Sequence, residues 1–184
     1  KKMGWRSSDT RQIFFNKMRI PKDSMMGKPG EGFKKFLKTL VSGRISIGAL
    51  SLGTAIGAYE KALNYSCERK SFGKTINKFQ SVAFKLADMA TKIESSKHLV
   101  YNAAWLQDQG FDVTKEAAMA KLQSSEAAMD IATEAIQIMG ANGYVREGKV
   151  ERYFRDAKIL EIGEGTSEIQ RIIISRKLIE NYKS

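Results

Sequence analysis

Residues 33–63 read FKKFLKTLVSGRISIGALSLGTAIGAYEKAL, and the apolar positions return every three or four residues. Phe33, Phe36, Leu37, Leu40, Val41, Ile45, Gly48, Leu52, Ile56, Tyr59 and Leu63 share one stripe of a helix that continues to about Arg69. Gly43, Gly48, Gly53 and Gly57 interrupt it. Each costs an exposed helix about 1 kcal/mol relative to Ala, so their presence points to close approach by another backbone or a ligand. The same period continues downstream. A second helix is predicted from about Lys78 to Gln109, with Gly110 as its C′ residue. A third opens at Thr114 as N-cap and runs to Met139-Gly140, with an Ala-rich face (Ala117, Ala120, Ala127, Ala128, Ala132, Ala135) suited to tight packing. A short helix over 149–155 and a last one from Ser167 to about residue 181 complete the set. Ser167 and Gln170 have capping-box spacing. Short connections favour antiparallel neighbours, so the expected fold is all-α, an up-and-down helical bundle.

The N-terminal stretch differs. Gln12 to Ile20 is apolar and partly alternating, and ends at Pro21-Lys22-Asp23-Ser24, which predicts one strand and a turn. A lone strand forms no sheet, so its partners must come from an upstream segment or another chain. The expected division is a β remnant over 1–30 and a helical domain over 31–184.

Composition excludes several classes. The 184 residues suit one compact domain, and 42% hydrophobic with 28% charged is ordinary for a globular chain. No uninterrupted apolar run approaches the roughly 20 residues that cross a bilayer, and the N-terminus lacks a signal-peptide pattern. Cys67 and His98 are the only residues of their kinds, which argues against a zinc site, an internal disulfide or a His-dependent triad. The net charge of +11, from 31 basic and 20 acidic residues, is scattered singly along helical patterns. It reads as a solvated basic surface, without the run expected of a nucleic-acid-binding arm. Phosphates of a small ligand would engage only a few of these charges.

Three clusters could carry chemistry. Arg69-Lys70-Ser71-Phe72-Gly73-Lys74, followed by Phe79-Gln80, breaks two long helices and offers a diphosphate grip, or is simply a connector. Gln137-Ile138-Met139-Gly140-Ala141-Asn142-Gly143-Tyr144 joins a helix end to a Gly-rich exit, suited to a heterocycle or phosphate, or to a C-cap and turn. Gly163-Glu164-Gly165-Thr166-Ser167-Glu168 sets one carboxylate between two glycines at a helix entrance. That geometry holds a single acid or base against a substrate, or complements the helix dipole.

In this order and spacing, together with Leu86-Ala87-Asp88-Met89 and Arg155-Asp156-Ala157-Lys158-Ile159, the clusters resemble the C-terminal half of the acyl-CoA dehydrogenases along essentially the whole chain. The resemblance implies FAD as cofactor and an acyl-CoA thioester as substrate, oxidised to trans-2-enoyl-CoA. Electrons would pass to an electron-transferring flavoprotein. It places Glu164 at the base that removes the α-proton in the short- and medium-chain type. It also places Arg69, Phe72 and Gln80, Gln137 to Ala141 (Ile138, Met139 and Gly140 between them), and Thr166, Ser167 and Glu168 against FAD. Ser42, Gly43 and Arg44, with Gly165, border the substrate. Ala141 stands where glycine is common, and Gly163 where tyrosine is common, which implies a wider pocket for longer or branched acyl groups. FAD sites shared between subunits imply a homo-oligomer, a tetramer or a dimer. The family's compartments are the bacterial cytoplasm and the mitochondrial matrix. The resemblance covers only its C-terminal part, so the chain is expected to be a piece of a larger enzyme, inactive alone. An oxygen-using acyl-CoA oxidase and a non-catalytic oligomerisation module are the alternatives.

Overall fold

The stripe beginning at Phe33 forms a single helix, α1 (Gly32–Glu68), in the computed structural model, which describes residues 1–183. After it come a hairpin, β1 (Lys70–Ser71) and β2 (Lys74–Thr75), and a 3-10 turn at Ile76–Lys78. The bundle continues with α2 (Gln80–Asp108), α3 (Thr114–Met139), the one-turn α4 (Ala141–Tyr144) and a 3-10 turn at Arg146–Gly148. It closes with α5 (Val150–Ile162) and α6 (Ser167–Lys183). Ser184, the last residue of the expected helical domain, lies outside the described residues.

Helix α3 is central and packs against α1, α2, α5 and α6. Its composition explains this. Ala117, Ala118, Ala120, Ala127, Ala128, Ala132 and Ala135 are all buried, and small side chains admit neighbours from several sides. Larger groups fill the remaining space, with Leu52, Leu86, Met89, Ile93, Ile131 and Leu160 in the main core. Two of the α1 glycines mark close approach. A Cβ on Gly48 would lie 3.4 Å from the Ala120 carbonyl, and one on Gly57 would lie 2.8 Å from the Tyr153 ring of α5. Gly53 has nothing within 4 Å, so the packing argument does not reach it. By length and composition α1 could cross a membrane, yet it lies against α2, α3 and α5 with Arg44 buried within it.

Helix ends follow local chemistry. Gly110 adopts φ +82°, its N–H donates to the Gln107 carbonyl and that of Phe111 to the Leu106 carbonyl. This is a Schellman motif that satisfies the Leu106 and Gln107 carbonyls near the end of α2. At the start of α3 the cap differs from expectation. Thr114 is already helical, and the Asp112 carboxylate accepts hydrogen bonds from its N–H (3.1 Å) and its hydroxyl (2.5 Å). The short helix expected over 149–155 extends to Ile162.

The predicted strand over 12–20 is corrected. Those residues form no strand, and residues 1–31 hold only a 3-10 turn at Lys22–Ser24. Ile13, Phe14, Phe15, Met18 and Ile20 are exposed. The alternation is present but has no ladder partner among the described residues, and an unpaired strand has no hydrogen bonds to define it. The segment is tied to the bundle further back. The Trp5 N–H donates to the Asp156 carboxylate (2.6 Å), and Arg155 donates to the Met3 carbonyl (3.1 Å). The described strands lie instead in the break between α1 and α2, where a connector was expected.

Candidate active site

Glu164 sits in the left-handed region at φ +56°, followed by Gly165 at φ +96°. Two such residues in succession reverse the chain between α5 and α6, and a residue with a Cβ holds that conformation only when its surroundings impose it. The turn carries the carboxylate to α1. A Cβ on Gly43 would lie 2.9 Å from one Glu164 carboxylate oxygen, so the bare glycine makes the space that this group occupies. The opposite side of Glu164 is exposed. Beside it Arg44 is buried, with its Nε unpartnered. Burial pulls the guanidinium below its ordinary pKa, while the negative charge of Glu164 pushes it the other way. Ser42 is fixed from α2, its hydroxyl accepting a hydrogen bond of 2.7 Å from Gln107. Gly43 and Arg44 therefore lie at Glu164, with Ser42 next to them on α1 and Gly165 next to Glu164 on the turn.

The residues after Glu164 form the entrance to α6. The Thr166 hydroxyl accepts from the Ile169 N–H at 3.4 Å, which makes Thr166 the capping residue. The capping box expected from Ser167 is therefore corrected. The Ser167 hydroxyl is buried without a partner, and the Gln170 side chain reaches the Glu164 and Gly165 carbonyls. Glu168 is exposed in the first turn, and its own N–H together with the Thr166 hydroxyl holds its carboxyl below the usual range.

A second grouping lies at the C-terminal end of α1. Phe72 (φ +47°) and Gly73 (φ +78°) form a turn with both central residues left-handed, which matches the twist of a two-residue hairpin. The Phe72 ring is almost fully exposed but meets Phe79 edge-on, with centroids 6.3 Å apart, and the Lys74 ammonium lies 4.3 Å from the Phe79 ring centre. Across from the hairpin, Asn142 donates to the Tyr65 hydroxyl at 2.9 Å. Arg69, Ser71 and Ile76 on one side and Ile138 to Asn142 on the other line an open concavity of about 470 Å³. Gln137 and Gln80 are exposed, Gln80 as the first residue of α2.

Within one chain these two groupings are far apart. Gly43 and Arg69 are 26 positions apart on α1 and its end, or about 39 Å at 1.5 Å per residue. The residues expected to contact one cofactor are thus divided between two places on the protomer.

The model of the acyl-CoA dehydrogenase C-terminal domain matches residues 30–179. The chain belongs to the acyl-CoA dehydrogenase family. The human mitochondrial short-chain specific acyl-CoA dehydrogenase is 50% identical over 183 residues, covering 100% of this chain and 44% of its own. The CarC subunit of the caffeyl-CoA reductase–Etf complex of Acetobacterium woodii is 45% identical, over 97% of this chain and 47% of its own. The solved butyryl-CoA dehydrogenase of Megasphaera elsdenii superposes with a TM-score of 0.96 at 44% identity, over 97% of this chain and 47% of its own. This acyl-CoA dehydrogenase domain spans about half the length of the relatives it matches.

Two residues at the site escaped the sequence reading. Gln170 was assigned to a cap, although a Glu between two glycines signals a reversed turn whose carbonyls need donors. Lys121 of α3 is fully buried with its ammonium unpartnered, and Glu161, Glu126, Glu168 and Arg44 act on it electrostatically. Nothing in its sequence context separates it from a surface lysine. The Gly43 contact leads to a prediction. Gly43→Ala adds helix propensity of up to about 1 kcal/mol, yet its methyl displaces the mobile end of Glu164. Thermal melting should show unchanged or raised stability, and a lowered melting temperature would show that the Glu164 side chain does not give way.

Proposed function

We propose that this domain carries the base and two parts of the FAD cradle of an acyl-CoA dehydrogenase. The observation that carries the reading is the Glu164 carboxylate, held on a left-handed turn against Gly43. In this reading Glu164 takes the α-proton of an acyl-CoA thioester. Its backbone N–H holds the thioester oxygen, where one such donor is worth about 3–4 kcal/mol to the developing enolate. When bound, FAD would supply the acceptor for the β-hydrogen as hydride, the product being trans-2-enoyl-CoA. The residues present fit that cofactor. The concavity beneath the hairpin offers the Arg69 guanidinium to a diphosphate and the Gly140–Ala141 backbone for close approach, and Thr166, Ser167 and Glu168 adjoin the base.

The separation along α1 supports a homo-oligomer in which one protomer's hairpin completes the site of another. Residues 1–30 are read as the end of a β-domain whose sheet covers Ile13, Phe14 and Phe15. An electron-transferring flavoprotein is the proposed acceptor, in keeping with the Etf named for the Acetobacterium woodii relative. Gly163 places no side chain beside the base, and a Cβ there would meet only the Ile159 carbonyl, at 3.3 Å. Longer or branched acyl groups are therefore proposed as substrates alongside short ones.

The test is anaerobic addition of short, medium-length and branched acyl-CoAs to the FAD-loaded full-length protein. Bleaching of the oxidised flavin band with formation of 2-enoyl-CoA is the expected result, and no bleaching with any of them overturns the reading. Reoxidation by electron-transferring flavoprotein much faster than by oxygen separates a dehydrogenase from an oxidase.

A further inference from the structure

The turn that bears Glu164 needs an external restraint, and Gln170 supplies one. Gln170 is fully buried one turn into α6. Its side-chain NH₂ donates to the Gly165 carbonyl at 2.8 Å and to the Glu164 carbonyl at 3.3 Å. Both partners are acceptors, so the amide must present its nitrogen, and its two hydrogens match two carbonyls. The fit is reciprocal, because a Cβ on Gly165 would lie 2.9 Å from that nitrogen. Gly165 thus admits the amide that pins it.

Each peptide unit is planar and trans, so fixing a carbonyl also fixes the direction of the following N–H. With the Glu164 and Gly165 carbonyls turned toward Gln170, the Gly165 and Thr166 N–H groups are aimed the other way. The Glu164 backbone then has little freedom left in ψ, and its side chain is directed onto Gly43 of α1. The anchor is itself rigid. Helix α6 packs on α3, and the Gln170 N–H closes the first turn on the Thr166 carbonyl at 3.0 Å.

We infer that Gln170 is the positioning residue for Glu164, a two-pronged amide clamp that imposes the left-handed turn and so the aim of the carboxylate. This rests on the reading of Glu164 as the base. The experiment compares wild type with Gln170→Met and Gln170→Glu in the FAD-loaded protein. Met keeps the length of the side chain without a donor, and an ionised Glu sets a carboxylate against two carbonyls. Three quantities are measured: exchange of the acyl-CoA α-proton with deuterated water, the split between kcat and KM, and the amide NMR shifts of Gly165 and Thr166, which report the hydrogen bonds on the carbonyls of the same planar peptide units.

With flavin content unchanged, α-proton exchange and kcat should fall about 10- to 100-fold, as expected for misplacement of a reacting group by about 1 Å. KM should move far less, and the Gly165 and Thr166 amide shifts should move away from their wild-type positions. For Gln170→Glu, these shifts should return toward wild type as the pH falls and the new carboxyl gains a proton to donate. Should Gln170→Met fail to fold, that recovery within a single protein decides the matter. Wild-type shifts in the variants, or altered shifts with undiminished α-proton exchange, overturn the inference. Absence of α-proton exchange in the wild type overturns the assignment of Glu164 instead, and the amide measurement still judges the clamp.

Discussion

Glu164→Gln lowers kcat of the FAD-loaded enzyme by about 10²- to 10⁴-fold, the range expected when a positioned general base is removed. The substitution isolates the proton transfer. Glutamine keeps the Cβ and the length of the side chain, so the left-handed turn and the contact with Gly43 persist, as do the Gln170 hydrogen bonds to the main chain. What disappears is an oxygen basic enough to accept a proton from carbon. Flavin content should stay at wild-type stoichiometry, because Arg69 and the Ile138–Asn142 wall are untouched. Rapid-mixing measurement of flavin bleaching is the direct check. A variant that keeps more than about a tenth of the wild-type rate would mean that another group removes the proton.

The second large effect concerns stability. Lys121→Met should stabilise the protein by about 1–3 kcal/mol, the scale on which burying an unpartnered polar group costs a folded protein. Methionine fills a similar volume without a charge, and the site is fully enclosed. The pull of Glu161, Glu126 and Glu168 on the ammonium is lost, but burial outweighs it, since the Lys121 pKa lies below its ordinary value of 10.5. That direction also fixes the pH dependence. The unfolded chain holds the proton up to about 10.5, whereas the folded chain releases it earlier. Between those two values the unfolded state binds more protons, so this lysine's contribution to stability rises with pH and levels off above the upper one. The gap in melting temperature between variant and wild type should therefore be widest near neutral pH and narrow in alkali. A gap that stays constant, or a variant that melts lower, would show the ammonium to be well accommodated.

The bundle was legible because burial leaves a periodic trace. Helices α1, α2 and α3 follow their apolar stripes to within a few residues, and Gly110 ends α2 in the way a glycine after a helix suggests. The hairpin after Arg69 left no such trace, since strands of two residues are too short to alternate. The alternation at Ile13 to Ile20 misled for the opposite reason: it records a face suited to a sheet without saying where the sheet is. At the site, the paired glycines marked Glu164 correctly as a special backbone position. The role of Gln170 was hidden because a side chain three residues into a helix reaches either the N–H groups of its start or the carbonyls of the preceding turn, and only the three-dimensional path of residues 163–166 decides between them. The division of the residues expected at one cofactor was equally hidden, because neighbouring motifs in a chain give no distance through space.

The unbroken length of α1 has a consequence for how this domain tolerates change. Because Gly43 and Arg69 stand 26 positions apart along it, one residue inserted between them would turn one against the other by about 100° and advance it by about 1.5 Å. If two copies share each flavin, that error enters every site twice, once from each chain. Substitutions along the exposed side of the helix leave this relation intact, whereas its residue count behaves like the tooth count of a gear, free in material and fixed in number.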